Sequence, residues 1–383
     1  MTTLTDPPKA SFRLSMLIND SRYRSMTIQI VALIGFLTLV GWLLSNTAQN
    51  LSELGRDFNF RFLLEPAGYD INQRLLAYNN QDSHLRAALL GVLNTLLLAF
   101  LGCIAATIVG VFVGVLRLSK NWIVGRLMTI YVEMFRNIPV LLWIVFAMAI
   151  LIETLPSPRD FRGDTPEASM ALGESAAFTN RGFYVPEPLF SRTLGDVHLL
   201  GNHPLRFDVS LDLVVILATL IAGILTAGLI RDRANRIQAA TGVRPHTLWY
   251  QIGVIVLPTV AILTVLGFHL GYPELRGFNF NGGTYLRNSL IALWVALSLY
   301  TAAFIAEIVR AGILAISKGQ TEAAAALGLR PRRVMSLVIL PQALRVIIPP
   351  LISQYLNLTK NSSLAIAVGY MDVTGTLMGI TMN

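Results

Sequence analysis

The chain has 383 residues, of which 54% are hydrophobic and only 14% charged, and its formal net charge is +8. Soluble domains carry about 25% charged residues, so this composition excludes an ordinary cytosolic enzyme, a disordered chain and a collagen-like chain. The single cysteine, Cys103, excludes a disulfide framework and a multi-cysteine metal centre, and what remains is an integral membrane protein.

Seven stretches are apolar enough to cross a bilayer, which requires about 20 residues. They lie at about 27–46, 87–116, 128–152, 211–230, 250–268, 286–314 and 342–358. We expect Pro349-Pro350 to interrupt the last stretch, because two residues there lack a backbone donor. The tail from Leu364 is weakly apolar and carries Asp372, so we interpret it as a partial or re-entrant segment. The sequence thus predicts an all-α membrane protein of about seven or eight helices.

The distribution of lysine and arginine predicts the orientation of these helices. Fifteen basic and four acidic residues lie in the segments 1–26, 117–127, 231–248 and 315–341. Ten basic and fourteen acidic residues lie in the segments 47–86, 153–210 and 269–285. Because basic segments stay in the cytoplasm, we predict that the N-terminus and the first set are cytoplasmic and the second set periplasmic. The sidedness explains the positive charge, so we expect no nucleic-acid partner.

Small residues recur every four positions in the second stretch, at Gly102, Ala106, Gly110 and Gly114. Such a stripe lets two helices approach closely, so we interpret it as a packing surface without a chemical role.

Two apolar stretches carry the same charged pattern, Glu133-x-x-Arg136 and Glu307-x-x-Arg310. The spacing i, i+3 places each pair on one helix face, and an unpaired charge inside the bilayer costs at least about 3 kcal/mol. We therefore expect both pairs to form near the cytoplasmic ends of their helices. Two interpretations stay open: the pairs lock the helix bundle, or they line the inner end of a transport path.

Other polar residues in or beside the apolar stretches have the donors and acceptors that a free amino acid needs. We assign the following to a candidate substrate path: Asn94, Thr95, Lys360, Asn361 and Ser362. For Lys360 the alternative is a lysine anchored at the bilayer interface.

The segment 317–341 predicts a compact cytoplasmic projection. Glu322 to Leu327 are strong helix formers, and Gly328 is placed to end that helix in a left-handed conformation. Pro331 and Pro341 are placed to open the helices that follow. A rigid helix–turn–helix of this kind is suited to docking into a groove of another protein.

This segment closely resembles the EAA loop of the membrane subunits of bacterial ABC importers. The positions of that motif are filled by Glu322, Ala323, Ala324, Gly328, Val338, Leu340 and Pro341. The resemblance implies a role in coupling to an ATPase for Glu322, Ala323, Ala324, Gly328, Leu329, Leu340 and Pro341. Flanking segments resemble the polar-amino-acid branch of these permeases: Val132 to Leu141, Arg310 to Ile313, Pro341 to Arg345 and Leu358 to Leu364.

The layout of the chain resembles the first membrane subunit of general L-amino-acid importers, in the histidine/glutamate/general L-amino-acid permease family. This implies the type I ABC-importer transmembrane fold, with a core formed by 85–155 and 285–383. Residues 1–84 then hold the cytoplasmic N-terminus, an extra first span and an extracytoplasmic loop, and 156–284 are an inserted loop with a helical hairpin. The resemblance also implies a further full span after the segment from Lys360 to Ser363, where the sequence up to Asn383 is only weakly apolar.

The same resemblance implies ATP-driven import of L-amino acids across the bacterial inner membrane by alternating access. The chain contains no G-x-x-x-x-G-K-[ST] phosphate loop, so we expect no cofactor and no enzymatic activity in it, with ATP and Mg²⁺ bound by a separate ATPase subunit in two copies. The other implied partners are a second, different membrane subunit and a periplasmic amino-acid-binding protein. An ion-gradient-driven secondary amino-acid transporter is the alternative; it predicts paired inverted repeats and buried acids at mid-membrane.

Overall fold

The computed structural model describes residues 18, 20–53, 60–163, 166–201, 203 and 206–382. The chain divides into two units, and the boundary lies after Leu63. The first unit contains the helix α1, Ser21–Glu53, which is exposed along its apolar length. The predicted cytoplasmic segment before this helix lies mostly outside the described residues.

In its described residues, the second unit contains ten helices that are labelled α2 to α11. They are α2 His84–Leu116, α3 Trp122–Asn137, α4 Val140–Thr154, α5 Leu211–Thr241, α6 Leu248–Val265, α7 Asn288–Leu314, α8 Lys318–Ala326, α9 Pro331–Val334, α10 Leu340–Asn361 and α11 Val373–Met382. Short helical turns cover Arg61–Leu64, Pro158–Phe161, Ala171–Glu174 and Ser362–Val368, and a π-helical turn covers Met335–Ile339. In the described residues, seven helical segments are long and apolar enough to cross a membrane, which confirms the predicted number.

The predicted third span is wrong in its bounds, because two helices occupy it. Ile138 is extended, with φ −104° and ψ 133°, and Pro139 has no N–H to continue the helical ladder. The break therefore ends α3 at Asn137, and the segment long enough to cross the membrane is Val140–Phe161. The rings of Phe135 and Trp143 stack across the break with centroids 4.2 Å apart.

The predicted interruption at Pro349-Pro350 is also wrong, because α10 continues through both prolines. The irregularity lies earlier, in the π-helical turn Met335–Ile339 just before Pro341. A proline ring clashes with the carbonyl four residues before it, and a wider turn relieves that clash.

Helices α2 and α7 form the centre of the core, and two thirds of the apolar window of α7 is buried. A Cβ added at Gly110 would lie 2.6 Å from the Cβ of Ile305, and one at Gly114 would lie 2.7 Å from the carbonyl oxygen of Ala306. Only glycine permits this approach of the two backbones, so the packing role predicted for the small-residue stripe is confirmed.

In the part of the chain that the structure describes, nine short strands lie between the membrane helices, and none of them was predicted. They are β1 Ala177–Thr179, β2 Gly182–Val185, β3 Glu187–Phe190, β4 Asp196–Leu199, β5 Phe207–Ser210, β6 Phe268–Gly271, β7 Glu274–Arg276, β8 Asn279–Asn281 and β9 Thr284–Arg287. All the pairings are antiparallel, in the orders β1-β2-β9, β3-β6, β4-β5 and β7-β8. The membrane part is helical as predicted, and the strands belong to the connecting segments.

Pairing of distant strands brings the predicted periplasmic segments together. Strand β2 pairs with β9 in the register Gly182↔Arg287, and β3 pairs with β6. The buried guanidinium of Arg86, at the start of α2, donates to the carbonyl oxygen of Arg206 at 2.8 Å. Arg206 also lies 3.3 Å from the carboxylate of Asp82. The segments 64–86, 155–210 and 266–287 thus share one end of the second unit.

The inserted helices α5 and α6 form an antiparallel hairpin. A Cβ at Gly223 would lie 3.0 Å from the Cα of Ile255, so the two backbones approach closely. Elsewhere their surfaces are open: only 6% of the apolar window of α5 is buried, and none of that of α6. The hairpin joins the rest of the unit through β3, β6 and the β4–β5 ladder.

Candidate functional site

Helices α8 and α9 form the helix–turn–helix that the sequence predicts. Gly328 follows α8 with a φ of +76°, and its N–H donates to the carbonyl of Ala325 at 2.9 Å. A Cβ at Gly328 would meet no atom within 4 Å, so glycine is required here by the backbone angle alone. Pro331 is the first residue of α9, as predicted.

The surface of this projection is largely open. Glu322 and Ala323 are exposed, and the side chain of Leu327 at the turn is 81% exposed. Ala324 and Val334 point inward, with 5% and 3% exposed. The projection therefore presents a leucine and a carboxylate to a partner while two small apolar side chains hold its helices together.

The remaining residues assigned to coupling lie on the return path to the membrane. Leu329 is half-buried, and its N–H donates to the carbonyl of Ala324 at 3.3 Å. Leu340 and Pro341 are exposed at the start of α10. The amide of Gln342 lies 3.4 Å from that of Gln320, which joins α10 to α8.

Glu307 on α7 lies at the centre of an ion-pair cluster at the same end of the core. Its carboxylate accepts from Arg310 at 2.7 Å, which is the pair that the i, i+3 spacing predicts. The second oxygen pairs with Arg117, the residue that caps α2. Because the Arg117 side chain is only 9% exposed, Glu307 neutralises a nearly buried charge and connects α2 to α7. Arg117 is not among the predicted site residues, because it lies 190 residues from Glu307 in the chain and only the fold brings them together.

The second predicted pair does not form. In the part of the chain that the structure describes, Glu133 and Arg136 make no ion pair with each other. The guanidinium of Arg136 lies 5.5 Å from the ring centroid of Phe304, and the Glu133 carboxylate lies 3.5 Å from the Asn137 amide. Both charged side chains are exposed, so water or a partner can solvate them and no pairing is needed.

The exposed face of α3 borders a shallow groove of about 470 Å³. Its lining combines polar and apolar side chains: Arg126, Thr129, Ile130, Glu133, Met134, Asn137 and Ile138. The opposite face packs into the core through Val132 and Phe135. A helix with one charged face therefore lies on the outside of the second unit.

Asn94 and Thr95 lie deep in the core and hold the last described segment of the chain. The Asn94 amide donates to the carbonyls of Gln73 and Met371 at 2.8 and 2.9 Å. The Thr95 hydroxyl accepts from the N–H of Val373 at 3.0 Å. These contacts give both residues a packing role, and their contact with a substrate stays a prediction.

The cluster at the end of α10 separates into exposed and buried residues. Lys360 is exposed and Asn361 half-buried. Ser362 is buried and donates to the carboxylate of Asp372 at 3.0 Å. Asp372 is fully buried and also accepts from the N–H of Gly375, so it caps α11. Asp372 was noted in the sequence as an acid in an apolar tail, but its buried contact with Ser362 was not predicted.

The chain is similar to permease proteins of amino-acid transport systems. Residues 246–382 match the family model described as "Binding-protein-dependent transport system inner membrane component". Over 100% of its length the chain is 58% identical to the glutamate/glutamine/aspartate/asparagine transport system permease protein BztB of Rhodobacter capsulatus, 91% of which is covered. Over 96% of its length it is 42% identical to the general L-amino acid transport system permease protein AapQ of Rhizobium johnstonii, 86% of which is covered. A shorter similarity, 34% identity over 30% of this chain and 25% of the relative, is to the permease protein BztC of Rhodobacter capsulatus, which shares the transport-system name of BztB.

Proposed function

The chain belongs to the family of membrane-spanning permease subunits of amino-acid ABC transporters, and on this basis we propose that it moves L-amino acids from the periplasm to the cytoplasm. It is a multi-pass protein of the bacterial inner membrane. The 58% identical relative is named for glutamate, glutamine, aspartate and asparagine, so these four amino acids are the first substrates to test.

The helix–turn–helix of α8 and α9 is the observation that supports coupling to a separate ATPase. It projects from the end of α7 and leads directly into α10, so a force applied to it acts on two core helices. Glu322, Ala323 and the exposed Leu327 form its accessible surface. We place this surface in a groove of the ATPase subunit, which binds ATP and Mg²⁺ and is present in two copies. This end of the unit is then cytoplasmic.

The position of the Glu307 cluster supports an inner gate for alternating access. Glu307 connects α7 to α2 through Arg117, and α7 continues into α8. Closure of the ATPase pair would shift α8, tilt α7 and open or tighten this connection at the inner end of the path. Glu307 and Arg310 therefore act as an inner gate in this proposal.

The exposed charged face of α3 is the observation that supports placing the substrate path and a second membrane subunit beside this helix. A carboxylate and a guanidinium facing lipid are unfavourable, so Glu133, Arg136 and Asn137 require water or protein beside them. We propose that a second, different permease subunit covers this face and that the amino acid passes between the two. The common system name of BztB and BztC supports two different subunits. A periplasmic amino-acid-binding protein delivers the substrate.

Reconstitution with the candidate ATPase and binding protein tests the coupling. Gly328→Ala places a side chain at a φ of +76°, and Gly242→Ala does so at +73°; neither added Cβ meets an atom within 4 Å. The two variants therefore carry the same local strain, of about 1 kcal/mol. We expect Gly328→Ala alone to reduce amino-acid-stimulated ATP hydrolysis, by at least about threefold.

Crosslinking measures the contact directly. A cysteine at Leu327, in a chain whose Cys103 is replaced by Ala, is expected to crosslink to the ATPase subunit. Absence of any crosslink from 320–330, together with equal ATP hydrolysis by both glycine variants, would refute the coupling role.

A further inference from the structure

Helix α5 is longer than a membrane span requires. At about 1.5 Å per residue its 31 residues extend over about 46 Å, whereas the hydrocarbon layer is about 30 Å thick. The apolar part ends at Ile230, and the turns beyond it carry Arg231, Arg233 and Arg236, all exposed. Guanidinium groups in this position lie at the level of the lipid headgroups.

The turn between α5 and α6 brings a fourth arginine to that level. The contact of Gly223 with Ile255 fixes how the antiparallel helices are paired. Counting about eight residues from this contact reaches Arg231 on α5 and Thr247 at the start of α6. Arg244, in the intervening turn, thus lies beside the basic end of α5.

These arginines lack acidic partners in the structure. In the described residues, none of Arg231, Arg233, Arg236 and Arg244 belongs to an ion pair. Asp232 is the single acidic residue in the sequence from 231 to 248. The planar guanidinium group donates two parallel hydrogen bonds to phosphate, so four unpaired ones make a phosphate-binding surface.

A cavity and two aromatic side chains complete the surface. The cavity has a volume of about 340 Å³ and is lined by Arg244, His246, Thr247 and Gln251 among others. Trp249 and Tyr250 follow it and are 79% and 70% exposed. Tryptophan and tyrosine are enriched where the hydrocarbon meets the headgroups, which marks the depth of the cavity in the membrane.

We propose that the tip of the α5–α6 hairpin, residues 231–251, binds the phosphate of an anionic phospholipid from the adjoining leaflet. Arg233, Arg236 and Arg244 donate to the phosphate oxygens, and the acyl chains lie along the open apolar surfaces of α5 and α6. The lipid thus anchors a hairpin that has few contacts with the other helices.

Native mass spectrometry of the full-length chain in its transporter complex tests this site, with phosphatidylglycerol or phosphatidylcholine as the added lipid. We expect the native chain to retain phosphatidylglycerol at least about tenfold better than phosphatidylcholine. In the variant R233Q/R236Q/R244Q we expect this preference to fall below about threefold. The variant R233K/R236K/R244K retains the charge and is expected to keep most of the preference. Should the triple glutamine variant fail to insert, Arg244→Gln alone is expected to reduce the preference at least about twofold.

The control K120Q/R192Q/R345Q removes three exposed basic residues elsewhere in the second unit. It is expected to retain the preference, because general charge alone does not create the site. An unchanged preference for phosphatidylglycerol in R233Q/R236Q/R244Q would overturn the proposal, as would an unchanged preference in Arg244→Gln where the triple variant does not insert. An equal loss of preference in the control would also overturn it. So would a triple glutamine variant that loses the ATPase subunit from the complex but keeps the lipid. Added inorganic phosphate that displaces phosphatidylglycerol completely would also overturn it, since the acyl chains would then contribute nothing.

Discussion

The same four-residue pattern, Glu-x-x-Arg, has two different outcomes in this molecule. On α7, Glu307 pairs with Arg310 and with Arg117, and the cluster is largely enclosed. On α3, Glu133 and Arg136 remain apart on an exposed face. The spacing places both pairs on one helix face, but the surroundings decide whether an ion pair forms.

The difference arises from a third charge supplied by another helix. Arg117 is nearly buried and needs a carboxylate, and the close approach of α2 to α7 places Glu307 within reach. Among the described residues Glu133 belongs to no ion pair, and its hydrogen-bond partner is the neutral amide of Asn137. A charged pattern in a membrane helix thus predicts a position, and the neighbouring helix determines its partner.

The largest effect is expected from separating α2 and α7. Gly114→Ala would place a Cβ 2.7 Å from the carbonyl oxygen of Ala306, which is backbone and cannot move aside. We expect the free energy of unfolding to fall by about 3 kcal/mol, together with loss of the contact between Arg117 and Glu307. Thermal unfolding in detergent measures the change.

The control for that change is Gly125→Ala on α3, where the nearest atom would be 3.9 Å from the new Cβ. It is expected to leave stability unchanged or to raise it by up to about 1 kcal/mol, because alanine favours the helix. Similar losses in both variants would contradict a special role for the α2–α7 approach.

Removal of one carboxylate is expected to have the next largest effect. Glu307→Gln leaves the 9% exposed Arg117 without a negative partner, and we expect a loss of about 2 kcal/mol in unfolding free energy. Glu133→Gln is the matched change on α3 and is expected to alter stability by less than about 0.5 kcal/mol. If the two variants unfold at the same temperature, the contrast between the pairs is wrong.

Exchange of the charges within each pair sharpens the contrast further. E307R/R310E restores an i, i+3 pair but places an arginine beside Arg117, so we expect a residual loss of about 1 kcal/mol. E133R/R136E is expected to match the native protein in unfolding free energy. Full recovery of stability and transport by E307R/R310E would show that Arg117 contributes nothing to the cluster.

The smallest effect is expected at an exposed pair outside the membrane. The hydrogen bond from the His198 ring, at 2.7 Å, lowers the pKa of Asp208 below its usual range. A lowered carboxyl pKa adds stability above the pKa of the unfolded chain and loses it as the pH falls through the folded pKa. Asp208→Asn should therefore change the unfolding temperature less than Gly114→Ala, Glu307→Gln or E307R/R310E, and the difference should shrink as the pH falls through the folded pKa of Asp208. A difference that stays constant as the pH is lowered well below the usual range of carboxyl pKa values would contradict this.

Sequence periodicity and single special residues predicted much of the fold. The number of membrane-spanning segments follows from apolar length, and a close helix approach along α2 follows from the spacing of Gly102 to Gly114, whereas the partner helices follow only from the structure. The left-handed Gly328 and the helix opened by Pro331 follow from local chemistry. Each of these features depends on residues close together in the chain, which is why the sequence alone predicts them.

The missed features depend on distant residues or on a misread signal. Strands β2 and β9 are four residues each and pair across about 100 residues of chain, so neither gives a pattern by itself. The partnership of Arg117 with Glu307 spans 190 residues. Pro139 was visible in the sequence, but apolar residues on both sides of it suggested one continuous span.

The antiparallel pairing of β3 with β6 holds together the two ends of the segment 191–267. Phe190 lies opposite Phe268, and the N–H of Ser191 donates to the carbonyl of Gly267 at 3.2 Å, so the points where the chain leaves and returns are neighbours. A short turn joining them would convert the ladder into an ordinary β-hairpin and remove residues 191–267 without stretching the backbone. Helices α5 and α6 can therefore be deleted together. A shortened permease that lacks them is a practical starting point for measuring what they contribute to the protein.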